Sequence, residues 1–176
     1  MRSRIPKDYD EASLYEYAIG ALGRRMRSVA ELKRLMRHKV GHQGELGDAL
    51  IDLVIFRLKE KKYLNDAQYA AAFSSYRRDN EKFGRHRVVS DLKARGVHGD
   101  VIEKAVSSAY DEVDEETQAR AHLKRKRLQK PKNQKEAARV FRALMRAGFS
   151  SKTIFKILKN WDVDEETITA LESEIE

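Results

Sequence analysis

Two stretches of this chain, RVVSDLKARGVHGDVIEKAV at 87–106 and RVFRALMRAGFSSKTIFKIL at 139–158, align without a gap. They share Arg, Val, an apolar residue, Leu, Gly, an apolar residue, Ile and a closing apolar pair. Apolar residues spaced by three and four mark helices, and the glycine between them marks where one helix stops before the next. A unit of that kind cannot bury its apolar face alone, so copies of it must stack. A third copy lies upstream. LMRHKV at 35–40 matches LMRAGF at 144–149 in its first three residues and in its apolar last one. With GHQGELGD at 41–48 read as a loop insertion, Ile51, Val54 and Ile55 take the places of Ile102, Ala105 and Val106.

The remaining punctuation is helical throughout. Only two prolines occur, Pro6 and Pro131, and no segment alternates as a half-buried strand would. SVAE is a capping box, with Ser28 at the cap and Glu31 three residues on. It starts a helix carrying Leu32, Leu35 and Met36 that stops near Gly41. From 45 to 61 the set Leu50, Ile51, Val54, Ile55 and Leu58 forms one stripe. In YLNDAQYAAAF, Asn65 or Asp66 can accept from the orphaned N–H groups of the following helix, whose buried face is expected to be Tyr69, Ala70, Phe73 and Tyr76. On that reading Phe73→Ala costs about 3–5 kcal/mol and loss of an Asp66 cap only about 1 kcal/mol. Gly84 opens a helix through Val88, Val89 and Leu92, and Gly96 after Arg95 supplies a left-handed stop. The fold expected is all-α. Three tandem three-helix, helix-turn-helix-like repeats at 10–61, 66–109 and 113–160 pack end to end as an elongated, curved array, and an acidic helix follows at 164–176.

Charge separates along this frame. The chain has 176 residues, 36% of them charged, and a formal net charge of +8. Basic runs occupy 24–39, 77–95 and 120–146, while acid gathers at 111–116 and in the tail from 162. The cations dense enough to form a polyanion track are Arg24, Arg25, Lys33, Arg34, Arg77, Arg78, Lys82, Arg85, Lys124, Arg125, Lys126 and Arg127. Tyr69, Phe73 and Phe141 sit at helical spacing and read as core, whereas Tyr15, Phe83 and Trp161 stay open between packing and contact.

Little points to catalysis. There is no cysteine, hence no thiolate nucleophile, disulfide or thiolate metal ligand, which suits a reducing compartment. His38, His42, His86, His98 and His122 are scattered among basic neighbours and read as surface residues rather than metal ligands. No phosphate-cradling glycine loop, nucleophile elbow or zinc-protease motif occurs, so neither an enzyme nor a cofactor is expected. No window is apolar enough to span a membrane, and the first residues lack the apolar core of an export signal, so a cytoplasmic protein is expected.

YLNDAQYAAAF followed by FGRHRVVSDLKARGV resembles the RecX family of bacterial recombinase regulators. Tyr63, Leu64, Asn65 and Asp66 match the first part of the family's central pattern, and Gly84, Arg87, Val88, Asp91, Leu92, Arg95, Gly96 and Val97 match the second. SVAELKRLM is similar to its first-repeat signal. The resemblance covers roughly residues 14 to 160. Departures are Asn65 for the usual Asp, Asp91 for Glu, and the 41–48 loop. The resemblance implies a non-enzymatic protein that binds the RecA recombinase filament on single-stranded DNA and modulates, usually inhibits, its recombination, ATPase and coprotease activities, with weaker direct DNA binding in some members. It also implies scaffold roles for Asn65, Asp66, Tyr69, Phe73, Gly84, Arg87, Leu92 and Gly96. The alternative is a direct DNA-binding helix-turn-helix regulator. Such a regulator usually dimerises, and no dimerisation segment stands out, so a monomer is expected.

Overall fold

A computed structural model describes residues 8–173. Ten α-helices and no strands occur among the described residues. The first three are α1 (Glu11–Arg24), α2 (Val29–Val40) and α3 (Gly44–Glu60), with a 3-10 turn at Gly41–Gln43. The next three are α4 (Asp66–Asp79), α5 (Arg85–Ala94) and α6 (Gly99–Tyr110). Then come α7 (Glu115–Arg125), α8 (Gln134–Ala147), α9 (Ser151–Lys159) and the short α10 (Glu165–Glu172).

Short polar side chains start most of these helices. Asp10 and Ser13, and Ser28 and Glu31, form reciprocal capping boxes. Asp114, Asn133, Ser150 and Asp164 each accept from the backbone N–H three residues on. Of the two candidates ahead of α4, Asn65 is the cap, accepting from the N–H groups of Ala67 and Gln68. Helix ends follow the glycine reading where glycine is present. Gly96 and Gly148 adopt φ of +73° and +86°, and the next apolar residues, Val97 and Phe149, donate back to the carbonyls of Leu92 and Leu144.

Each run of three helices has its own core. Leu14, Leu32, Met36, Ile51 and Leu58 centre the first, Tyr69, Val88, Leu92, Ile102 and Val106 the second, and Leu123, Phe141, Leu144, Ile154 and Leu158 the third. The result is an all-α array of helical repeats. Helix α10 belongs to the third core through buried Leu171 and lies on α8. The acidic terminal segment thus uses an apolar face to cover the last repeat; its residues 174–176 lie outside the described residues.

Three expectations about burial are corrected. Tyr76 does not join the buried face of α4: it is 57% exposed, and Ser74 is buried instead, because the helix turns its Tyr69–Ala70–Ser74 edge inward. Phe73 is only half-buried, at the edge of the second core, so a full-core truncation cost does not apply to it. In α2 the residues that repeat the burial of Val88 and Leu92 are Leu32 and Met36, while Leu35 is half-buried. The upstream copy is therefore in register one residue later than the LMR identity suggests. The matching caps, Ser28 and Gly84, agree with the shifted register.

The repeats are joined by one relationship used twice: the start of a second helix meets the end of the next repeat's second helix. At the first junction the Ser28 hydroxyl donates to the Arg95 carbonyl at 2.6 Å, and a Cβ on Gly96 would lie 2.5 Å from the Ala30 Cβ. At the second, Gly84 N–H donates to the Ala147 carbonyl at 2.8 Å and His86 N–H to the Gly148 carbonyl at 3.2 Å. A Cβ on Gly84 would fall 2.2 Å from the Gly148 carbonyl oxygen, so only glycine permits this approach.

Candidate functional site

Since the repeats join through α2, α5 and α8, crevices form beside each junction, and each gathers aromatic and cationic side chains. The first crevice, about 470 Å³, is lined by Arg25, Met26, Tyr69, Phe73, Tyr76 and Arg95. The second has about the same volume and is lined chiefly by Phe83, Arg87, Lys126, Leu128, Arg139 and Arg146, with His122 at its base. They are related by the repeat. Phe73 is the eighth residue after the Asn65 cap and His122 the eighth after the Asp114 cap, so both occupy the same place on a first helix.

The two crevices differ in charge. In the first, both arginines converge on one acid: Glu31 is 3.0 Å from Arg95 and 3.4 Å from Arg25, and its second oxygen accepts from the Ser28 N–H at 3.1 Å. Burial works against the charged form of Glu31, but this N–H and the two guanidiniums outweigh it and hold the carboxyl below its ordinary value. Arg95 also lies 4.8 Å over the Phe73 ring. In the second crevice no carboxylate lines the wall among the described residues. Arg87 pairs with Asp91 at 3.1 Å, whereas Lys126, Arg139 and Arg146 have no ion pair among the described residues.

His122 corrects the reading of all five histidines as surface residues. It is buried, its Nδ1 3.2 Å from the Glu81 carbonyl, between the rings of Phe83 and Phe149. Burial, reinforced by Lys126 and Arg125, pushes its pKa below the ordinary value, so it sits neutral near pH 7. Among the described residues no cluster of His, Asp or Glu is arranged to hold a metal.

The twelve cations singled out by density do not form one uniform track. Arg77 is 17% exposed, ion-paired to Asp91 and, at 2.5 Å, to Glu81, with its guanidinium 5.2 Å from the Phe73 ring. Arg78 pairs with Asp79 at 2.7 Å and donates to the Ala109 carbonyl. These two stitch the second repeat together. Lys33 meets Asp52 at 2.7 Å and Arg85 the Ser107 hydroxyl at 3.0 Å, both at the surface. Lys82 is half-buried in a left-handed turn at φ +55°. Arg24 and the consecutive Lys124, Arg125, Lys126 and Arg127 are exposed at or near helix ends, and Arg34 is exposed in the middle of α2. Of the scaffold residues, Leu92 and Tyr69 are buried, and Asp66 reaches out of its own repeat to accept from the Val29 N–H at 2.8 Å.

Charge density along the chain missed Arg139 and Arg146 as members of a site, because they come from α8 while Arg87 comes from α5 and Lys126 follows α7. A signal was nevertheless present. Arg139 aligns with Arg87 in the gap-free repeat, and both line the second crevice.

Comparison with known proteins gives a consistent result. A family model described as "RecX, second three-helix domain" matches residues 65–106. The chain is 32% identical over 154 residues to Regulatory protein RecX of Bacillus pumilus, covering 86% of this chain and 57% of that protein, so it spans little more than half the length of such Bacillus relatives. It is also 32% identical over 149 residues to Regulatory protein RecX of Leptothrix cholodnii, covering 85% of this chain and 89% of that one. In fold it is similar to the crystal structure of RecX from Lactobacillus salivarius, with a TM-score of 0.62 at 18% identity over 86% of this chain and 96% of the other.

Proposed function

This chain belongs to the RecX family, and we propose on that footing that it binds the RecA recombinase filament on single-stranded DNA and restrains its recombination, ATPase and coprotease activities. It acts as a cytoplasmic monomer, by occupancy and without catalysis of its own. The observation that carries this reading is the match to the Leptothrix regulator over 89% of that protein's length. The geometry is in keeping with it. Residues 10–61, 66–109 and 113–160 act as successive repeats, each with its own core, and an array of that kind can engage more than one subunit of a polymer.

The exposed Lys124–Arg127 tract supports a second, weaker contact with the nucleic acid of the filament. A regulator that reads duplex sequence presents one recognition helix in a major groove, whereas here the exposed cations spread over all three repeats. The experiment that tests the reading is RecA ATP hydrolysis and strand exchange on single-stranded DNA, with this protein substoichiometric to RecA. Inhibition is expected. No effect, together with tight sequence-selective duplex binding, would favour the direct DNA-binding regulator. Lys124→Glu, Arg125→Glu and Lys126→Glu combined are expected to weaken inhibition without unfolding the protein, and unchanged inhibition would remove that tract from the contact surface.

A further inference from the structure

We propose that the crevice between the second and third repeats is a docking site for an acidic protein segment carrying a bulky apolar side chain. The proposal rests on the reading of this chain as a protein-binding regulator and names the surface and chemistry by which it takes hold of a partner. Four cations, Arg87, Lys126, Arg139 and Arg146, surround a floor that includes Leu128 and Ala143. Three of them have no ion pair, and no carboxylate lines the wall, among the described residues, so a net positive potential is focused by an apolar surface. Guanidinium forks match carboxylates in two-point contact. An apolar floor beneath such a ring calls for an apolar anchor as well.

A single-stranded nucleic acid would satisfy the cations but not the floor. Binding of that kind stacks bases on free aromatic faces. The Phe83 ring is already covered, with the Arg77 guanidinium 4.7 Å and that of Arg87 5.8 Å from its centroid and the His122 ring at 5.5 Å. The repeat-related crevice beside Phe73 is an internal comparison. There Glu31 pairs with both arginines and removes one of their two charges, so of these two crevices the second has the stronger preference for an anion.

The test is fluorescence anisotropy at about 150 mM salt with a labelled peptide EDDFEDLE, its counterpart EDDSEDSE, and oligothymidylate of similar charge. The first peptide is expected to bind at least about tenfold tighter than the second. Arg139→Glu combined with Arg146→Glu should weaken it by at least about tenfold with the thermal melt unchanged, since both side chains are exposed. Should that variant melt early, Ala143→Phe, which fills the crevice without altering charge, should block the peptide equally. Equal binding of the two peptides, or oligothymidylate binding tighter than peptide and lost in the same variants, would overturn the proposal. RecA inhibition by the same wild-type preparation separates the two readings. Inhibition without peptide binding sinks the crevice and leaves the proposed function standing, and peptide binding without inhibition does the reverse.

Discussion

The Asp66 carboxylate accepts a hydrogen bond from the Val29 N–H at 2.8 Å, although the two residues lie 37 apart in sequence and in different repeats. Asn65 caps α4, which leaves Asp66 free to satisfy an orphan donor in the first turn of α2 and to place negative charge at that helix's N-terminus. Asp66→Ala is expected to cost about 1–2 kcal/mol, and Asp66→Asn, which keeps the acceptor, less than about half of that. Urea denaturation of the three proteins checks the order.

The second junction makes a sharper demand. A Cβ at Gly84 would lie 2.2 Å from the Gly148 carbonyl oxygen, and one at Gly148 would lie 2.1 Å from the Arg87 nitrogen, against backbone that cannot swing aside. Gly84→Ala is expected to destabilise by at least about 3 kcal/mol. Gly20→Ala, inside α1 with nothing within 4 Å of the new Cβ, should stabilise by about 0.5–1 kcal/mol. Thermal melts of the pair distinguish repeat-junction packing from a general sensitivity of glycines.

Arg77 should behave as scaffold. It and Asp91 are 17% and 16% exposed, and Glu81 completes the cluster. Burial works against its charge, but Asp91 and Glu81 outweigh that and raise its pKa. Arg77→Ala leaves Glu81 without its ion partner and Asp91 with Arg87 alone, and is expected to cost about 2–3 kcal/mol, whereas Lys124→Ala, at an exposed position, should stay within about 0.5 kcal/mol of wild type. Chemical denaturation measures both.

His122 links stability to pH. Its pKa is depressed in the folded protein, so the unfolded chain binds more protons between that value and the ordinary 6.5. Its contribution is complete above about pH 6.5 and is lost as pH falls toward the folded value. Stability measured from pH 7.5 to 5 should decline on the acid side, and His122→Phe, placing there the residue type found at Phe73, should flatten that decline. An unchanged slope would assign the decline to other groups.

Helix count, caps and core positions were legible because they depend on local spacing. Ser28, Asn65, Leu92, Gly96 and Gly148 each do what their neighbours in sequence require. The one-residue register shift in α2 was not legible, since the identical LMR letters outweighed the burial pattern that aligns Met36 with Leu92. The site was harder still. Local charge density picks out Arg77 and passes over Arg139, yet Asp91, 14 residues on, draws the first into the scaffold, and the repeat junction brings the second to a crevice shared with Arg87. Which cation finds an acid is decided by packing between helices, and burial of His122 by two rings from flanking segments is decided the same way.

The most direct test is the affinity of fluorescently labelled protein for RecA filaments assembled on single-stranded DNA with a slowly hydrolysed ATP analogue, set against its affinity for the same DNA without RecA, both at about 150 mM salt. The filament is expected to bind at least about tenfold tighter, because exposed cations alone lose most of their hold on DNA at that salt. Equal or tighter binding to the bare DNA would contradict the account.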